Sequence, residues 1–204
     1  MSFRSGRPSV YLTSLVAAIV LQSSTSVQAE RSLGDSLWNV LRGRTPHERA
    51  WAVYGGTTYD WSDMSFGLVS WQGLYDYSKF WPQPAPDRLK MRLETNIGAA
   101  TGTDFSGQRL IASANFLAVY EFGSPKSDEI VPYIEGGSGV IYTDFQRPDQ
   151  GLRWNFNPMA GIGIRMGPRF LVLRLHHISN AGLDDENRGI NSVILGFGVY
   201  LGSN

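Results

Sequence analysis

"KMRLETNIGA", residues 90–99, decides the fold. Lys90, Arg92, Glu94 and Asn96 fall on one side of an alternating pattern, and Met91, Leu93, Ile97 and Ala99 fall on the other with Thr95. Side chains along a β-strand point to opposite faces with a period of two, so this stretch is a strand with one apolar and one charged face. Soluble sandwiches and barrels alternate too, but their strands average ~5–6 residues and show water their polar side. Here charged side chains sit deep inside a long segment. A membrane barrel inverts the soluble arrangement: apolar side chains face lipid and polar ones fill the lumen, over ~9–11 residues per span.

Working outward, eight such segments lie near 51–59, 66–75, 88–101, 110–122, 130–142, 152–166, 168–178 and 189–201. Turn signals such as "YDWSD", "PQPAPD", "GTDFSGQ", "GSPKSDE", "RPDQG" and "MGP" separate them. In 152–166, Leu152, Trp154, Phe156, Ala160, Ile162, Ile164 and Met166 alternate with Arg153, Asn155, Asn157, Gly161, Gly163 and Arg165. In 110–122 the apolar face runs from Leu110 to Phe122, while Ser113, Asn115 and Glu121 mark the other side and Ile111, Leu117 and Val119 blur it. The expected fold is all-β: an eight-stranded antiparallel transmembrane β-barrel, with Tyr59, Trp71, Tyr75, Tyr142, Trp154 and Tyr200 as candidate interfacial aromatics. A lipocalin-like soluble barrel is the competing architecture.

The chain ahead of the barrel reads differently. Residues 1–29 have a basic start (Arg4, Arg7), an apolar run from Val10 to Leu21 and a small-residue Val27-Gln28-Ala29 site, the layout of a cleaved secretory signal peptide. In 30–50, Leu33, Leu37, Leu41 and Trp38 recur at helical spacing, with Asp35 or Ser36 as cap and Gly43 as stop. This is expected to be a short amphipathic periplasmic helix and linker, leaving 51–204 as the barrel. Removing the leader takes away Arg4 and Arg7 and no acid, so 18 basic residues become 16 against 18 acidic ones. That balance argues against nucleic-acid binding. The absence of cysteine excludes disulfides and thiolate metal sites. No cofactor and no metal is expected, and a homodimer is left open.

The same phase applied to the last two segments brings out chemistry. Leu171, Leu173, Leu175, His177 and Ser179 share one face, opposite Phe170, Val172, Arg174, His176 and Ile178. Arg174 marks its own face as lumenal, so His177 and Ser179 continue the lipid-facing column. Asn191 begins the equivalent column of Val193, Leu195, Phe197, Val199 and Leu201. His177, Ser179 and Asn191 therefore converge outside the barrel at one end of a hairpin. A serine becomes a competent nucleophile when a neutral imidazole takes its proton and a third group holds the imidazole. Asn191, or the loop acids Asp184, Asp185 and Glu186, are the candidates for that third group. Asn180, or backbone N–H groups near Ala181 and Gly182, are candidates to hold an oxyanion. His176 points to the lumen, and His47 lies in the linker.

"HISNAGLDDENRGIN", residues 177–191, resembles the signature of the outer-membrane lipid A 3-O-deacylases, the PagL family: His-x-Ser-Asn, then a loop with Asn-x-Gly before the last strand. The resemblance implies an eight-stranded outer-membrane barrel that removes an ester-linked 3-hydroxyacyl chain from lipid A or lipopolysaccharide without a metal. It implies Ser179 as nucleophile and His177 as base, with Asn180, Asn187 and Gly189 as loop positions of the motif. One departure stands out: the family pattern carries a glutamate two residues after the glycine, and here that position is Asn191. A non-catalytic outer-membrane barrel, structural or adhesin-like, is the alternative outside enzymology. An acyltransferase or phospholipase using the same pair is the alternative within it.

Overall fold

The computed structural model describes residues 46–60, 63–80, 83–123, 129–147 and 149–203. The expected leader and nearly all of the expected 30–50 helix and linker lie outside these residues. Nine strand segments follow in order: β1 (Glu48–Thr58), β2 (Met64–Asp76), β3 (Leu89–Gly102), β4 (Phe105–Glu121), β5 (Ile130–Thr143), β6 (Trp154–Phe156), β7 (Met159–Met166), β8 (Arg169–Ile178) and β9 (Ile190–Ser203). A 3-10 turn, Tyr77–Lys79, follows β2. Glu48, Arg49 and Ala50, assigned to the linker from sequence, are already strand, paired with Leu74, Gly73 and Gln72.

β6 and β7 are two halves of one traverse. Phe156 bridges Ser179 and Met159 pairs with His176 in one continuous register along β8. Between them Pro158 accepts from the His177 N–H at 3.0 Å but has no N–H to return. Eight traverses result, each antiparallel to the next, and β1 pairs with β9 to close the sheet into a barrel. Closure leaves no unpaired edge, which a lipid-facing sheet cannot tolerate.

The in–out alternation follows the sequence phase. On β8, Leu171, Leu173 and Leu175 are exposed, while Phe170, Val172, Arg174, His176 and Ile178 are buried. On β3, Arg92 and Glu94 are buried and Ile97 is exposed. The lumen is a packed core with a polar middle. Glu94 accepts from Nη1 and Nη2 of Arg174 at 3.0 and 2.8 Å, and Arg174 Nε and Arg92 Nη1 each donate to Glu135 at 2.5 Å. Tyr54, Gln72, Asn96 and Asn115 donate the remaining hydrogen bonds to Glu94. Two guanidiniums and two carboxylates thus neutralise each other away from water, the condition under which buried charge is tolerated.

Apolar tiers sit above and below this layer, and they explain the blurred β4 pattern: Ile111, Leu117 and Val119 face inward and are buried. Lumenal glycines make room for rings. A Cβ on Gly196 would sit 2.1 Å from Tyr54 Cε1. Two of the candidate interfacial aromatics are placed otherwise. Tyr200 points inward, where its hydroxyl accepts from Arg92 at 3.2 Å and its ring lies 4.1 Å from the Arg165 guanidinium carbon. Tyr75 is buried and packs edge-on against Phe80. Trp154 and Tyr59 are exposed on the outside, joined by Trp51.

Candidate active site

The site stands at the barrel end that carries the β1–β2 turn, the β5–β6 loop and the β8–β9 loop. The column Leu171, Leu173, Leu175 climbs the outer face of β8 and reaches His177, whose cross-strand partner on β9 is Asn191. Directly opposite residues on neighbouring strands bring their side chains together, and here His177 Nδ1 lies 2.8 Å from Asn191 Oδ1. The imidazole is thus bonded to Asn191 and not to a loop acid. Asp184 accepts from the Glu186 N–H at 3.0 Å, and Asp185 and Glu186 are exposed in the loop.

Behind Asn191 stands a residue that the sequence pattern did not single out. Asp60 Oδ2 accepts from the Asn191 backbone N–H at 2.5 Å and from its Nδ2 at 3.2 Å. Asp60 belongs to the turn after β1. β1 and β9 close the barrel, and the Tyr59 N–H donates to the Asn191 carbonyl at 3.2 Å, one step beyond the Thr58–Ser192 pair. "YDWSD" read only as a turn. The usable signal was topological: in a closed barrel the first turn lies beside the start of the last strand.

Ser179 is half-buried, two residues past His177 on the same face, and its backbone exchanges hydrogen bonds with Phe156 at 2.8 and 3.0 Å. Same-face neighbours are spaced about 7 Å along a strand, two residues at about 3.3 Å each, a gap that an imidazole and a rotating hydroxymethyl can bridge. Among the described residues no hydrogen bond joins the Ser179 hydroxyl to His177. Such contacts often form fully only with substrate in place.

Gly189 completes the setting. Its φ of 74° is in the left-handed region, and a Cβ there would stand 2.7 Å from His177 Cε1 and 3.2 Å from Nε2. The loop backbone thus closes on the imidazole edge that a side chain would push away.

Asn180 and Asn187 organise the loop. The buried Asn180 side chain donates to the carbonyls of Gln150 (3.3 Å) and Glu186 (3.0 Å), and its Oδ1 accepts from the Gly182 N–H at 2.9 Å. Asn187 Oδ1 accepts from the Asn180 N–H at 2.9 Å. The Asn180 donors and the Gly182 N–H are thus engaged within the loop. Ala181, with φ 56°, contributes no N–H to these loop bonds.

His176 turns inward, as its phase requires. It is buried, 2.9 Å from the Ser192 hydroxyl through Nδ1, with its ring edge-on to Phe66 at 6.3 Å. His47 is exposed. Among the described residues no three His, Cys, Asp or Glu side chains are grouped to hold a metal ion. An imidazole anchored at Nδ1, beside a hydroxyl on the same open face, has the parts of a base-assisted oxygen nucleophile.

Comparison with known proteins bears on what such a site acts upon. The family described as lipid A 3-O-deacylase (PagL) matches residues 55–200. The chain is 32% identical over 145 residues to the lipid A deacylase PagL of Pseudomonas aeruginosa, covering 69% of this chain and 80% of that protein. It superposes on the crystal structure of the outer membrane enzyme PagL with a TM-score of 0.59 at 27% identity, over 74% of this chain and 98% of the other.

Proposed function

The chain belongs to the lipid A 3-O-deacylase (PagL) family, and from that premise we propose that it is an outer-membrane serine esterase. Its substrate is lipid A, from which it removes an ester-linked 3-hydroxyacyl chain. Ser179 is the nucleophile, His177 the base, and Asn191 the residue that holds the base. The observation that carries this is the His177–Asn191 pair at 2.8 Å on the outer wall, with Ser179 on the same column.

The chemistry follows from the tautomer. With Nδ1–H donated to Asn191 Oδ1, the Nε2 lone pair is free to take the Ser179 proton as Oγ attacks the ester carbonyl carbon. Negative charge gathers on the carbonyl oxygen, and the uncommitted Ala181 N–H, two residues past the nucleophile, is a donor for it. Collapse breaks the bond to the sugar oxygen, which leaves with the proton from His177. Water, deprotonated by the same imidazole, then cleaves the acyl-serine and restores the hydroxyl.

Location supports the same substrate. A glycolipid carries its sugars at the surface and its chains in the bilayer, so its proximal esters meet the boundary where this hairpin ends. Below the site, Leu171, Leu173 and Leu195 with Ile134, Ile162 and Gly163 line an apolar groove on the outer wall, suited to a hydrocarbon chain. Mass spectrometry of lipid A and phospholipids from cells expressing the wild type and Ser179→Ala tests the assignment. Loss of one 3-hydroxyacyl chain only with Ser179 intact is expected. Unchanged lipid A in both strains would leave an inert barrel, and altered phospholipid a different acyl-handling enzyme.

A further inference from the structure

Asn191 is neutral where the family pattern carries an acid, yet it is not left to hold His177 alone. Asp60 accepts both the backbone N–H and the side-chain N–H of Asn191, and Asn191 Oδ1 in turn meets His177 Nδ1. We propose that Asp60 is the acid of a three-residue relay, Asp60–Asn191–His177, acting on the imidazole through the intervening amide. It is a positioning residue, and the proposal rests on the assignment of His177 as the base.

The chemistry of donors and acceptors makes the relay directional. An ionised carboxylate only accepts hydrogen bonds, so the NH2 end of Asn191 must turn to Asp60. Its carbonyl end is then the one at His177, and a carbonyl also only accepts. Nδ1 must therefore carry the proton, which leaves Nε2 bare as the base that Ser179 needs. An asparagine without Asp60 is free to flip, and a flipped amide offers an N–H to Nδ1 and selects the wrong tautomer. Asp60 contributes a second effect. A carboxylate bonded to the amide polarises it, strengthens Oδ1 as an acceptor, and places a negative charge one residue from the imidazolium that forms during attack. Barrel closure makes this possible, because the two residues lie 131 positions apart and meet only where β1 pairs with β9.

Two kinds of measurement test the relay. The first needs no activity: 15N NMR of histidine-labelled barrels in detergent micelles, at neutral pH, reads the His177 tautomer in the wild type and in Asp60→Asn. The relay requires Nδ1 protonated and Nε2 bare in the wild type and a loss of that preference in Asp60→Asn; the opposite tautomer or an even mixture in the wild type, or an unchanged tautomer in the variant, overturns it. The second is kinetic, on variants confirmed as folded barrels. Asp60→Asn keeps the shape and loses the charge, and is expected to lower kcat about 10–100-fold, the range that groups hydrogen-bonded behind a functional histidine command, with KM nearly unchanged. Asp60→Glu, which keeps the charge, should retain more activity than Asp60→Asn.

The variant Asn191→Glu puts a carboxylate directly on His177. In the Asp60→Asn background it should raise kcat by at least tenfold. Beside an intact Asp60 it should gain less, because two carboxylates then share one pocket. Wild-type kcat in Asp60→Asn, or no rescue by Asn191→Glu, overturns the relay. A role for Asp60 in merely folding the turn predicts neither the rescue nor a change of tautomer. If the wild type deacylates nothing, the proposed function fails, and the tautomer measurement still decides the relay.

Discussion

Two adjacent histidines, His176 and His177, end on opposite sides of the same wall, and each faces a polar partner on β9. Inside, His176 lies 2.9 Å from the hydroxyl of Ser192, an imidazole–serine hydrogen bond. Outside, His177 lies 2.8 Å from the amide of Asn191, and its serine, Ser179, is not bonded to it. Proximity alone would select the inner pair. But Ser192 and His176 are sealed in a lumen packed by Phe66, Ile178 and Ile194, where no ester can arrive. The outer pair stands on the lipid-facing side of the wall. A catalytic pair therefore needs an accessible face and an oriented base, and a short His–Ser distance in a packed core is ordinary polar satisfaction.

The largest expected effect breaks or keeps that distinction directly. Ser179→Ala should lower lipid A deacylation by at least ~10³-fold, the loss typical of removing a nucleophile, measured as released 3-hydroxy fatty acid. Ser192→Ala, in the same assay, should stay within about threefold of the wild type, because its hydroxyl only satisfies a buried imidazole. If Ser192→Ala abolished activity while Ser179→Ala kept it, the wrong wall would have been chosen.

The inner wall has its own test. Glu94 is buried beneath Arg174, Tyr54, Gln72, Asn96 and Asn115. Glu94→Ala leaves the Arg174 charge without one of its two carboxylates, and should destabilise the barrel by about 3–5 kcal/mol in urea titrations of the refolded protein. A loss below ~1 kcal/mol would mean that water enters the lumen and solvates the network.

The smallest effect sharpens the outer site. Gly189→Ala forces a left-handed residue and a Cβ 2.7 Å from His177 Cε1. It should cost about 1–3 kcal/mol of local strain, relieved by displacing the imidazole. A kcat reduced about tenfold, with the unfolding midpoint only slightly lowered, is expected from a misplaced base. Equal losses in both would place the strain in the loop alone.

The difference between the walls also explains what was legible beforehand. The period of two placed Arg92, Glu94, Arg174 and His176 inside, and Leu173, Leu175, His177 and Ser179 outside, because alternation is a local property of an extended chain. Tyr200 escaped that logic when grouped with interfacial aromatics: its phase is lumenal, and Arg92 and Arg165 hold it there. Ile111, Leu117 and Val119 blurred β4 because a narrow lumen is filled by apolar tiers as well as charges. The bonds from Asn180 to Gln150 and Glu186 join loops whose meeting no periodicity encodes.

By itself the chain's alternation determined the barrel and the face on which His177 and Ser179 stand, since a side chain's direction along a strand depends only on its neighbours in sequence. Only the tertiary structure decided what holds the His177 imidazole. Closing the barrel brought the turn after the first strand against the start of the last and set Asp60 on Asn191. Contacts made by closure join residues far apart in the chain, and nothing in the local order of either segment records them.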